Sequence, residues 1–180
     1  MLFKYERAKK RLTEWFANGN KRTEKVLIST ENLYQFKLEQ YWNEQGIWLM
    51  TVKDKSFFEF NEDYLLENSS DLTTEDEEEV FISFSKYLLE NKLEIGLKYL
   101  QKHTTHSNPF FRYQSARLLS NTNDINSIPF LEKLLNDTLQ PETEMKIDWH
   151  GSGHSKKTQY PISRMAEIAI ENIANNKGGS

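Results

Sequence analysis

Cysteine is absent from the 180-residue chain. That excludes a disulfide framework, a thiolate zinc site and a cysteine nucleophile, and it fits a reducing cytoplasm. Glycine and proline are scarce, at 7 and 4 residues, so neither a long linker nor a low-complexity chain is expected. No stretch approaches the roughly 18 consecutive apolar residues of a membrane span. The opening M-L-F-K-Y-E-R-A-K-K-R-L holds no apolar run of signal-peptide length. A cytoplasmic protein without membrane attachment is the expectation.

What is present suits one ordinary core, with 37% hydrophobic and 13% aromatic residues. The abundant Asn, Lys, Ile and Glu fit an AT-rich bacterial or phage genome. Net charge is −4, and its distribution is uneven. Residues 1–25 carry eight Lys/Arg against three Glu, whereas residues 54–94 carry thirteen Asp/Glu against three Lys. Only ten Lys/Arg follow residue 94. Nonspecific nucleic-acid binding needs phosphates neutralised over a broad basic face, so this balance argues against it. It favours a basic protein surface as partner.

Along the chain, Tyr5, Ala8, Leu12, Trp15 and Phe16 fall on one helical stripe ended by Asn18-Gly19-Asn20. That spacing predicts an amphipathic helix over 3–17. Between 33 and 60 the period changes. Tyr34, Phe36 and Leu38 alternate with polar residues, I-W-L-M-T-V and S-F-F-E-F follow, and N-E-Q-G and K-D-K supply turns. A three-stranded antiparallel meander is expected, covered by the first helix, with 33–42 readable as strand or helix. From 71 the pattern is helical. Thr73 or Thr74 stands at capping-box spacing before an acidic first turn, and Val80, Phe81, Phe84, Tyr87 and Leu88 form the buried stripe. A second helix carries Leu93, Leu97 and Leu100.

Residues 108–137 bear the clearest signature. Asn108 stands as a cap, Pro109 at the first helical position and Asp124 in a turn. Tyr113, Ala116 and Leu118 or Leu119 face inward, and Ile128, Leu131, Leu134 and Leu135 form a second stripe. A shift of 52 residues sets Pro109 on Pro161, Arg112 on Arg164, Ala116 on Ile168 and Leu118 on Ile170. The stretch resembles a HEAT-like repeat of the short kind found in bacterial solenoid proteins. The resemblance is specific over 108–137, fair over 161–174 and loose over 75–103, and it does not reach before 70. Periods of such repeats run to roughly 30–47 residues, so the polar segment 138–160 reads as an insertion.

The fold class expected is α-rich α+β. Residues 1–70 form a helix and β-meander, residues 71–175 form a short HEAT-like α-solenoid with a loop at 138–160, and the tail 176–180 frays. An all-α chain is the alternative.

Solenoid insertions often lie on the binding face, which directs attention to D-W-H-G-S-G-H at 148–154. The four histidines make two close pairs, His103 with His106 and His150 with His154, which leaves metal binding open. Neither pair has an H-E-x-x-H pattern or a cysteine beside it, so no metal or cofactor is expected. A nucleophile elbow needs G-x-S-x-G after a strand, and G-S-G lacks both. Trp149 either folds back onto adjacent helices or anchors a partner, with Asp148 and His150 beside it. Glu142, Glu144, Glu75, Glu77, Glu78 and Glu79 supply acidic rim charges, although those at 75–79 also suit a helix N-terminus.

HEAT-like solenoids are mostly binding scaffolds rather than enzymes. A small acidic chain of this kind is similar to some immunity proteins of bacterial polymorphic toxin systems. That likeness implies a cognate partner, a basic toxin domain such as a nuclease, bound and neutralised. A general interaction scaffold, a metal-dependent enzyme and a nucleic-acid binder are the alternatives.

Overall fold

The structure, a computed structural model, describes residues 9–29, 34–54, 57–72, 75–139 and 162–176. The chain divides into two compact units, Met1–Val80 and Phe81–Ser180.

The first unit is built on five antiparallel strands in sequential order: β1 (Lys9–Trp15), β2 (Lys21–Ser29), β3 (Tyr34–Trp42), β4 (Trp48–Lys53) and β5 (Phe57–Phe60). Over Lys9–Trp15 the expected N-terminal helix is therefore corrected to a strand, residues 3–8 of that expectation lying outside the described residues, and the meander gains two members. Asn18-Gly19-Asn20, read as a helix stop, is a hairpin turn. Gly19 takes φ 85°, which a side chain resists, and its N–H donates to the Phe16 carbonyl. Asn-Gly between β-capable runs is the strongest short hairpin signal, and here it overrides the helical stripe. The turns read at 43–46 and around Asp54 are where the chain does reverse, Asp54 taking φ 50°.

Strand pairing fixes which residues share a face. In the ladders Glu14 lies opposite Thr23, Thr23 opposite Tyr41, Tyr41 opposite Met50 and Met50 opposite Phe60. Thr23, Tyr41 and Met50 in this row are buried, and Tyr41 meets the start of a later helix, which marks the row as the inner face. The cover expected from an N-terminal helix is supplied from further along the chain. The Tyr41 hydroxyl donates to Glu79 at 3.1 Å, tying the inner face to the first turns of a later helix, and Leu65, Leu72 and Val80 are fully buried. A short helix, α1 (Glu62–Glu67), follows the sheet. Asn43, in the β3–β4 turn, donates to its Tyr64 hydroxyl.

The second unit takes up α2 (Glu75–Asn91) from Phe81 and continues with α3 (Leu93–His103), α4 (Pro109–Leu119), α5 (Ile128–Glu132) and α6 (Ile162–Asn175). Its core is aromatic. Phe81 and Phe111 meet edge to face at 4.9 Å, as do Phe84 and Tyr99 at 5.4 Å, and the His103 ring lies 4.9 Å from that of Phe81. Such pairs each add about 0.5–1.5 kcal/mol beyond their buried area. Gly96 makes the α2–α3 corner possible, because a Cβ there would sit 2.9 Å from the Leu89 backbone nitrogen.

Asn108 caps α4 by accepting from Phe110 N–H at 2.9 Å, with Pro109 at its first turn. The solenoid reading is nevertheless corrected: the fold is a five-stranded antiparallel sheet followed by helices. α5 spans five residues, after which Leu134, Leu135 and Asp137 N–H groups bond three residues back rather than four. Asp137 is held by Arg112 at 2.6 Å, which also donates to the carbonyls of His106 and Ser107. Nor are the positions related by 52 residues equivalent. Arg112 is buried, whereas Arg164 is exposed and pairs with Glu167 on its own helix. Ala116 is buried while Ile168 is only half-buried, and Leu135, expected inside, is exposed.

Candidate protein-binding surface

The predicted site divides three ways. Glu142, Glu144, Asp148, Trp149 and His150 lie outside the described residues, as does the side chain of Glu75. Glu77 is 4% exposed, which removes it from any docking surface. Glu78 is half-buried, and Glu79 accepts the Tyr41 hydroxyl. The acidic run is thus partly structural: it stabilises the start of α2 and fastens that start to the sheet.

Consequences for Tyr41 are direct. Burial, reinforced by the Glu79 and Glu39 carboxylates, pushes its hydroxyl far above the usual tyrosine range. Beside it, Lys25 bonds Glu39, and that bond holds the ammonium above its ordinary value. Glu14 also lies on this face, accepting from the Thr23 hydroxyl at 3.2 Å.

The outer face of the sheet carries residues that the sequence reading had not joined. Its central row runs Thr13, Glu24, Gln40, Thr51 and Glu59 across all five strands. Glu24 is gripped by two cations, Arg11 at 3.2 Å and Lys21 at 2.7 Å. The Lys21 hydrogen bond foremost, with the charges of Lys21 and Arg11, holds the Glu24 carboxyl below the usual range against the opposing effect of burial. Lys21 also stands 4.7 Å over the Trp42 ring. Next along the row, the Thr51 hydroxyl accepts from Gln40 at 3.2 Å and from the Trp48 indole at 3.0 Å.

Trp42 and Trp48 are register partners, and Trp15 lies opposite Lys21. Trp15 is 60% exposed. Glu24 and Thr51 retain 7% and 3% exposure. Their polar atoms hold the surrounding side chains in place rather than meeting solvent. The arrangement is a pre-ordered set of indoles, an amide and two cations on a rigid sheet. It suits contact with a macromolecule better than proton transfer, since both carboxylates of the row are ion-paired, Glu24 with Arg11 and Lys21 and Glu59 with Lys53.

His103 and His106 are buried, their rings 5.7 Å apart. His103 Nδ1 donates to the Tyr99 carbonyl at 2.6 Å, and His106 Nδ1 accepts from Asn108 N–H at 3.1 Å. The pair closes the α3–α4 turn. Among the described residues no group of three or more His, Cys, Asp or Glu gathers at metal-holding distance, and none of their helices is long and apolar enough to cross a membrane.

Period-two reading across the Asn18-Gly19 hairpin would have joined Arg11, Thr13 and Glu24, whereas Lys21 is out of that phase and reaches Glu24 where the register shifts at Glu14/Trp15. The helical stripe of Leu12, Trp15 and Phe16 concealed the patch. Comparison with protein-family models, curated proteins and solved structures finds no match to this chain.

Proposed function

We propose that the protein is a non-catalytic, cytoplasmic protein-binding module, and that it binds and neutralises a basic toxin domain, as immunity proteins do. The observation that supports binding is the outer sheet face. It offers the exposed Trp15, the half-buried Trp42 and Trp48, and Arg11 and Lys21 fixed on Glu24. Tryptophan and arginine held in place by their own neighbours are the chemistry of interface hot spots. The net charge of −4 and the acidic block at 54–94 support a basic partner, because complementary charge accelerates encounter. A general interaction scaffold would use the same face without a toxin.

Affinity purification on the tagged full chain from its source cells, eluted by salt, tests this reading. The expected eluate is one basic protein at stoichiometric amount whose toxicity on expression is suppressed by co-expressing this chain. Recovery of an acidic partner, or toxicity unaffected by co-expression, would contradict it.

A further inference from the structure

β1 is an edge strand. β2 pairs one side of it, and among the described residues no strand pairs the other. Alternate backbone N–H and C=O groups along that side point away from the sheet, which is the arrangement that recruits another strand. Edges are commonly blunted by charge, and β1 carries charge, but in a particular order. Lys10, Leu12 and Glu14 alternate onto one face, all exposed, with Leu12 42% exposed at the strand's centre. Thr23 keeps Glu14 on that face through the 3.2 Å hydrogen bond.

An antiparallel pairing of two copies of one strand must place a residue opposite one of the same parity. The three registers open to the middle of β1 differ sharply. Centred on Arg11, the dyad brings Arg11 against Arg11 and Lys10 against Leu12. Centred on Thr13, it brings Leu12 against Glu14. Centred on Leu12, it brings Leu12 against Leu12, Arg11 against Thr13, and Lys10 against Glu14 twice. Only the last sets unlike charges directly opposite and covers the exposed leucine with its own copy.

We propose that β1 is a homodimer interface, in which two copies of this chain pair antiparallel about Leu12 with Lys10 of each facing Glu14 of the other. The contact is isologous, so it closes on itself and ends the edge instead of propagating it. The same pairing sets Arg11 opposite Thr13 and Trp15 opposite Lys9 on the outer face, but its test, the oligomeric state of the chain by itself, is separate from any toxin readout.

Sedimentation equilibrium of the full chain and four variant samples tests it, with circular dichroism as the check on folding. Wild type is expected to dimerise. Lys10→Glu alone and Glu14→Lys alone each create two like-charge pairs and should weaken dimerisation by about tenfold or more. The double variant Lys10→Glu/Glu14→Lys restores both attractions and should recover the dimer. An equimolar mixture of the two single variants should form a heterodimer, because every facing pair is then Glu against Lys. A wild type that stays monomeric to sub-millimolar concentration would overturn the proposal. So would a dimer that the single substitutions leave unchanged. If Glu14→Lys unfolds the chain through loss of the Thr23 bond, Lys10→Glu alone still decides: a folded variant that dimerises like wild type overturns the pairing.

Discussion

At the scale of single residues, Arg112 shows how a charge can serve as a core residue. Its guanidinium spends its donors on Asp137 and on two backbone carbonyls of the α3–α4 turn. Removing one partner of a buried pair leaves the other charged and dry, at about 3–5 kcal/mol. Arg112→Ala should therefore destabilise the second unit by about that much in denaturant melts, and a loss below about 0.5 kcal/mol would show the pair to be solvated. Leu134 is buried beyond the end of α5, so Leu134→Ala should cost about 2–5 kcal/mol through the cavity it opens. Leu134, Leu131 and Ala116 were legible as core because each repeats the apolar spacing of its segment. Arg112 was not: the sequence marks a helix-opening arginine without saying that the chain later returns with Asp137.

At the scale of elements, titration should report on the sheet. Lys25 and Tyr41 both have raised values in the folded chain. The stability tied to each is fully present below its ordinary value and is lost as pH rises, from about pH 10 upward. Glu24 is lowered, so its contribution is present above the usual glutamate range and is lost as pH falls through the folded value. Thermal melts followed by far-ultraviolet strand signal should therefore plateau near neutrality and decline on both sides. A Tyr41→Phe variant should lose part of the alkaline decline, and an unchanged alkaline limb would assign it to other groups. Leu139 and Ile162 flank residues 140–161, and Ile162 N–H donates to the Leu139 carbonyl at 3.3 Å. Because these ends already meet, replacing 141–160 by a short Gly/Ser linker should leave the cooperative transition of the second unit intact. Its loss would make the segment part of the core.

Element type was legible in the sequence wherever one signal stood alone. Asn108-Pro109 started a helix, and the β-rich run I-W-L-M-T-V made a strand, whereas 33–42, open to either reading, is strand from Tyr34 to Trp42. It misled where two signals competed. Leu12, Trp15 and Phe16 satisfy a helical period, yet the same stretch pairs with β2 because Thr23, Val26 and Leu27 offer a β-rich partner across an Asn-Gly turn. Long-range pairing decides such a segment, and local spacing carries no record of it. The solenoid reading failed for a related reason: a repeat inferred from apolar positions does not distinguish buried Arg112 from exposed Arg164.

For the whole molecule, the central claim is that an acidic chain steers onto a basic protein while the outer sheet face anchors it. The two parts act on different rate constants. Charges distant from the contact govern encounter, and a buried aromatic anchor governs dissociation. Surface plasmon resonance of the captured partner against the full chain separates them. Reversing Glu78, Glu142 and Glu144 to lysine should slow association and flatten its dependence on salt, with dissociation nearly unchanged. Trp15→Ala should speed dissociation by an amount equivalent to about 2 kcal/mol, with association nearly unchanged. Dissociation unaltered by Trp15→Ala, together with association insensitive to both salt and charge reversal, would contradict the account.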